Sequence, residues 1–130
     1  MKTESPNSSY ENLLVGQKSH PFVLDIYQMT QQFPDCEKFG LTSQFRRAAV
    51  SIPANIVEGY GKRSSADKAR FFNTAQGSLN ECPYYPRLAA GPGYAKTEQH
   101  FTQINEIGHM LHSYTKKVLS SVKQLLTTAS

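Results

Sequence analysis

The residues of this 130-residue chain that could do chemistry fall into three groups. The largest is basic: Arg46, Arg47, Lys62, Arg63, Lys68 and Arg70. Lysine and arginine at a surface neutralise phosphates and release counterions, which gives affinity without sequence specificity. Ser64 and Ser65, at an expected helix start, could add hydroxyls and free N–H groups. This set is the candidate nucleic-acid-binding site, grouped around the turn between the second and third helices. The same residues also read as a solvated helix surface paired locally with Glu58 and Asp67, and both readings stand. Arg46 and Arg47 are neighbours, so on a helix they point about 100° apart. One can face solvent while the other lies at a helix or subunit interface.

The second group is Glu106-x-x-His109, with His112 one turn on. In di-iron bundles such a pair places two ligands on one inner face, but the site needs two copies and two further inward carboxylates. The chain has one copy, with Asp25 and Glu81 the remaining candidates, so no metal is assigned. His20 and His100 lie near helix starts and are expected to be exposed. The third group is nucleophilic. Ser64 and Ser65 lack a matched His/Asp context, and no glycine-rich loop follows a strand. Cys36 and Cys82 have neither CxxC nor Cys/His metal spacing and read as two reduced thiols. No catalytic residue and no cofactor are assigned, and the expectation is a protein that is not an enzyme.

Those residues must be positioned by helices. Phe22, Ile26, Met29 and Phe33 recur at spacings of 4, 3 and 4, one helical face, in a first helix expected from Pro21 to Gln32. Pro21 suits a first turn and Pro34 stops the helix. Leu41, Phe45, Ala48, Ile52, Ile56 and Gly59 place a second helix at about 41–58. Pro53 falls inside it and predicts a kink near Ala49, with Asn55 placed to satisfy the carbonyl the proline frees. Ser64-Ser65-Ala66-Asp67 is a capping-box variant opening a third helix. Phe71, Ala75, Ser78, Cys82, Tyr85 and Ala89 carry its stripe, but Pro83 and Pro86 each cost about 3 kcal/mol in a helix interior. Pattern and proline chemistry conflict there, and the third helix is expected to hold as far as Glu81. Gly91-Pro92-Gly93 is a turn. A fourth helix from about Thr97 to Leu125 carries Phe101, Ile104, Gly108, Leu111, Thr115, Val118, Val122 and Leu125 on a 3-4 rhythm.

Four helices with short connections predict an all-α, antiparallel up-down-up-down four-helix bundle over residues 18–126. Flexible tails are expected at 1–17 and 127–130. The formal net charge is +4 and the pI about 9.1, mildly basic. The chain has neither a run of about 18 apolar residues nor a leader with an apolar centre, which predicts a cytoplasmic protein.

Residues 40–81 carry a resemblance. Gly40-Leu41-Thr42-Ser43-Gln44, Arg46-Arg47-Ala48-Ala49-Val50-Ser51-Ile52-Pro53-Ala54-Asn55-Ile56, Glu58-Gly59, and Gly77-Ser78-Leu79 with Glu81 resemble the four-helix-bundle proteins encoded in intervening sequences of bacterial 23S ribosomal RNA genes. Weaker similarity extends over Val23 to Phe33 and Ile104 to Leu111. The resemblance implies a bundle assembled as a homopentameric ring. It also implies kinship with accessory variability proteins of diversity-generating retroelements, which bind nucleic acid and a reverse transcriptase. The chain departs from the pattern at Gly16, Pro21, Pro83, Pro86 and Gly91-Pro92.

In such a ring, apolar residues off the core stripes should meet the next subunit, and Tyr60, Phe72 and Tyr84 are the candidates. The resulting expectation is a homo-oligomer, a pentamer, that contacts RNA or DNA backbone near the turn between the second and third helices. The alternative is a structural or protein-binding scaffold without nucleic acid.

Overall fold

The computed structural model describes residues 14–95 and 98–129, with the side chains at 119 and 121–129 outside the description. Four long helices and one short one account for it: α1 (Leu14–Thr30), α2 (Leu41–Tyr60), α3 (Ser65–Glu81), α4 (Tyr84–Ala90) and α5 (Glu98–Ala129). A 3-10 turn at Asp35–Glu37 joins α1 to α2. No strand occurs among the described residues.

Helix α1 starts seven residues before Pro21, so residues 14–17, expected in the tail, are helical. The apolar face explains the extension. Val15, Ser19, Phe22 and Ile26 are all buried at spacings of 4, 3 and 4. Their burial outweighs the single backbone hydrogen bond that Pro21 removes. At the other end of the chain α5 runs on to Ala129. Residues 127–129, expected in a flexible end, therefore belong to it.

Helix α2 is continuous through Pro53, and its buried residues are the expected stripe together with Thr42 and Ala49. Asn55 does not serve the carbonyl of Ala49. Its amide donates instead to the Ser51 carbonyl at 2.7 Å and to Ser51 Oγ at 2.9 Å, and Ser51 Oγ lies 2.8 Å from Ser78 Oγ on α3. A small polar ladder thus ties the two helices. Gly59 is required by packing: a Cβ there would stand 2.8 Å from Phe72 Cε1 and 2.9 Å from Phe71 Cβ.

Ser64 caps α3 by accepting from the Asp67 N–H at 3.1 Å. The Asp67 carboxylate turns to Arg70 at 3.5 Å, not back to the cap. Both sides of the proline conflict are resolved by a break that preserves the stripe. Helix α3 ends at Glu81, Pro83 is the N-cap of α4, and Pro86 occupies the third position of α4, where an N–H has no intrahelical acceptor. Cys82, Tyr85 and Ala89 stay in the core across the break. Gly93, with φ of 79°, then closes α4: its N–H reaches the Ala90 carbonyl and the Tyr94 N–H the Ala89 carbonyl.

Pairing is antiparallel around the bundle. Helix α2 packs on α3, α3 on α5, and α5 on α1, which also packs on α2. The order of contacts reverses along each pair: Gly59 meets Phe72 while Ser51 meets Ser78, and Lys18 meets Glu106 while Asp25 meets Gln103. The core centres on Phe22, Phe45, Phe72, Ile26, Ile52, Ile56, Ile107 and Leu111. On α5, Ile104, Ile107 and Leu111 are buried while Phe101 and Gly108 are half-buried. Val122 and Leu125 lie outside the described side chains.

Candidate nucleic-acid interface

The six basic residues do not form one cluster. Arg46 and Arg47 lie in the first half of α2, and about 20 Å of helix separates them from Tyr60 at its end. The bundle therefore has two basic regions, one at each end of α2.

At the first, Arg46 is committed within the chain. Its Nε donates to Thr30 Oγ1 at 2.7 Å and its Nη2 to the Tyr27 carbonyl at 3.1 Å. Its guanidinium also lies 4.6 Å from the centroid of the Tyr27 ring. Thr30 Oγ1 in turn donates a hydrogen bond to the Ile26 carbonyl at 2.7 Å. Arg46 thus supplies positive charge and a further donor to the carboxyl end of α1, where the Tyr27 carbonyl also accepts from the Gln31 N–H at 3.2 Å. It sits at a helix interface, while Arg47 is exposed.

At the second region, Lys68 is committed in the same way. Its ammonium donates to the Tyr60 carbonyl at 2.6 Å and lies 5.2 Å from the Tyr60 ring centroid, closing the carboxyl end of α2. Lys62 lies 5.1 Å and Arg70 5.4 Å from the ring centroid of Phe71. Arg63 is exposed and forms no ion pair with a described residue. Lys62 and Arg63 lie in the turn at 61–64, and Arg70, in the second turn of α3 and paired with Asp67, shares the Phe71 ring with Lys62. Glu58 and Asp67 are the carboxylates there, both exposed.

Of the residues expected at a subunit interface, Phe72 is buried inside its own bundle. It is 0% exposed and meets Tyr114 edge-to-face at 5.0 Å between centroids. Helix α3 packs on both α2 and α5, so a residue off its first stripe is still covered. Tyr60 is half-buried under Lys68, and Tyr84 is 61% exposed.

Glu106 is an exposed partner of Lys18 at 3.0 Å. His109 and His112 are also exposed, so the pair faces away from the core. Asp25 accepts from Gln103 at 2.8 Å, and Glu81 accepts from the Tyr85 hydroxyl. Among the described residues no group of three or more His, Cys, Asp or Glu could hold a metal ion. His20 is exposed as expected, but His100 is only 2% exposed. His100 lies beside Asp25, Gln28 and Met29 of α1, a proximity the sequence pattern around it does not signal. Both cysteines are free thiols. Cys36 is exposed, whereas burial, with a smaller contribution from Glu81, pushes the Cys82 thiol up to about 12.

The arrangement defines an all-helical, four-helix-bundle protein with a basic turn at one end and no assembled catalytic constellation among the described residues. The chain belongs to the 23S rRNA-intervening sequence protein family, whose model matches residues 11–113. It is similar to a crystal structure from Bacteroides thetaiotaomicron described as a protein of unknown function from the S23 ribosomal protein family. The two share 30% identity with a TM-score of 0.71, over 79% of this chain and 96% of that one. No curated protein matches the chain. No helix among the described residues is long and apolar enough to cross a membrane.

Proposed function

We propose that the protein is a non-enzymatic, homo-oligomeric adaptor whose α2–α3 turn contacts nucleic-acid backbone. One observation carries this reading: Lys62 and Arg70 share the Phe71 ring, with Arg63 exposed between them in the sequence, at a turn that opens directly into the amino end of α3. Cations beside a helix amino end are suited to phosphate oxygens. Residues 58–70 hold four cations and two carboxylates, so half of the chain's net charge of +4 sits in this one segment. Oligomerisation would strengthen it, because several weak sites on one particle act at high effective concentration. Tyr84 and Leu88, exposed one turn apart on α4, are the apolar surface proposed for subunit contact, in a ring of five.

An electrophoretic shift assay with ribosomal RNA fragments tests the first part. Binding at low salt, weakened by Lys62→Ala and Arg63→Ala, is expected. No shift at low salt, or a shift indifferent to both changes, rejects it. Light scattering tests the second part. A mass of 14.5 kDa rejects oligomerisation.

A further inference from the structure

The exposed apolar side chains are unevenly placed. Leu24 and Tyr27 on α1, Phe39 before α2, and Val50 and Val57 on α2 all lie on one helical hairpin. Helix α3 shows none. Phe39 is the extreme case, 89% exposed.

Three of these side chains line a surface groove of about 470 Å³ between α1 and α2: Tyr27, Phe39 and Val50. Its other lining residues include Lys38, Arg46 and Arg47, and none is acidic. Arg46 is already held by Thr30 and Tyr27, which fixes one positive charge at the rim without further ordering. Lys38 and Arg47 are exposed and form no ion pair with a described residue. We propose that this groove docks an acidic amphipathic segment of a partner protein, with apolar side chains on Tyr27, Phe39 and Val50 and carboxylates on Lys38 and Arg47.

The chemistry selects this occupant. A groove of this volume takes one or two bulky apolar side chains. An apolar floor with a charged rim is how amphipathic segments are recognised, and arginine binds carboxylates through a planar fork. Stacked bases suit the groove less well. Val50 offers an aliphatic contact, not a stacking one.

The groove lies in the first half of α2, away from Lys62 and Arg63 at the other end, so the two sites can be tested independently. Selection of a random peptide display library on the purified full chain is the experiment. The expected winners combine at least two carboxylates with a bulky apolar residue. Synthetic winners should lose at least about tenfold in affinity against Phe39→Ala and against Arg47→Glu. Both residues are exposed, so folding should persist, as circular dichroism would show. Arg63→Ala should leave affinity unchanged. Enrichment of basic or uncharged peptides, no enrichment, or indifference to both groove variants overturns the proposal. So does displacement of the peptide by single-stranded oligonucleotide, or a fall in oligomeric mass on Phe39→Ala, which would place a second copy in the groove.

Discussion

Two arginine and lysine side chains show how far residue type alone can mislead. Arg46 and Lys68 stand among the candidate phosphate contacts in sequence, Arg46 also as one of two arginines of which one is expected at an interface, and each closes the carboxyl end of a helix through a backbone carbonyl. That use depends on which helix end lies opposite, which periodicity does not encode. Phe72 was legible as apolar but not as core, because its neighbour Tyr114 lies 42 positions away on α5. Two packing predictions follow at this scale. Phe72→Ala should cost about 3–5 kcal/mol, from lost burial plus the cavity left behind. Gly59→Ala should cost about 1–3 kcal/mol, because the new methyl would press on Phe71 and Phe72. Urea midpoints measure both, and a neutral Gly59→Ala would show that α2 and α3 do not approach as closely as described. A pH effect is also expected from Cys82. Its thiol ionises near 9 when unfolded and at about 12 when folded, so folding favours the protonated form. That contribution is complete below pH 9 and is lost as pH rises through the interval, by up to about 1.4 kcal/mol per unit. Tyr85, pushed up first by burial and then by its hydrogen bond to Glu81, adds to the loss at higher pH. Cys82→Ala should flatten the decline between pH 9 and 10. Thiol labelling should modify Cys36 at once and Cys82 only on unfolding.

At the scale of elements, the spacing rules read most of the fold. The stripe of α2, Ile104 and Leu111 in the stripe of α5, and the cap at Ser64 are visible in residue types. The harder case was the segment from Glu81 to Ala90, where apolar spacing asked for a helix and Pro83 and Pro86 forbade one. The chain satisfies both by ending one helix and starting another with little change in direction of the buried face. Pro86 then stands where its missing N–H costs nothing, so Pro86→Ala should shift stability by less than about 1 kcal/mol, against about 3 for an interior proline. A larger stabilisation would mean that α3 and α4 want to be one helix. Ser64→Ala should cost about 1 kcal/mol through loss of the Asp67 N–H bond. Pro21 reads as a start signal in sequence, whereas the buried spacing continues through it to Val15 and α1 begins earlier.

For the whole molecule, charge and apolar exposure divide the surface into two regions along α2. The α2–α3 turn is cationic and polar, while the α1–α2 hairpin carries apolar side chains with a basic rim. Sequence grouped all six basic residues at the turn between the second and third helices, although Arg46 and Arg47 fall near the start of the helix expected at 41–58. The helix is 20 residues long, and that length separates them. The same geometry predicts that Arg46→Ala lowers stability with little effect on nucleic-acid binding, and that Arg63→Ala does the reverse.

The salt dependence of RNA affinity tests the central claim most directly. Fluorescence anisotropy with a single-stranded RNA across a salt series gives a slope of about 0.7 per phosphate contacted in each logarithmic plot. The account predicts a steep slope for the native protein and a shallower one, by about one contact, for Arg63→Ala, with Arg46→Ala retaining the native slope. A slope near zero, or one lowered by Arg46→Ala and untouched by Arg63→Ala, would contradict it.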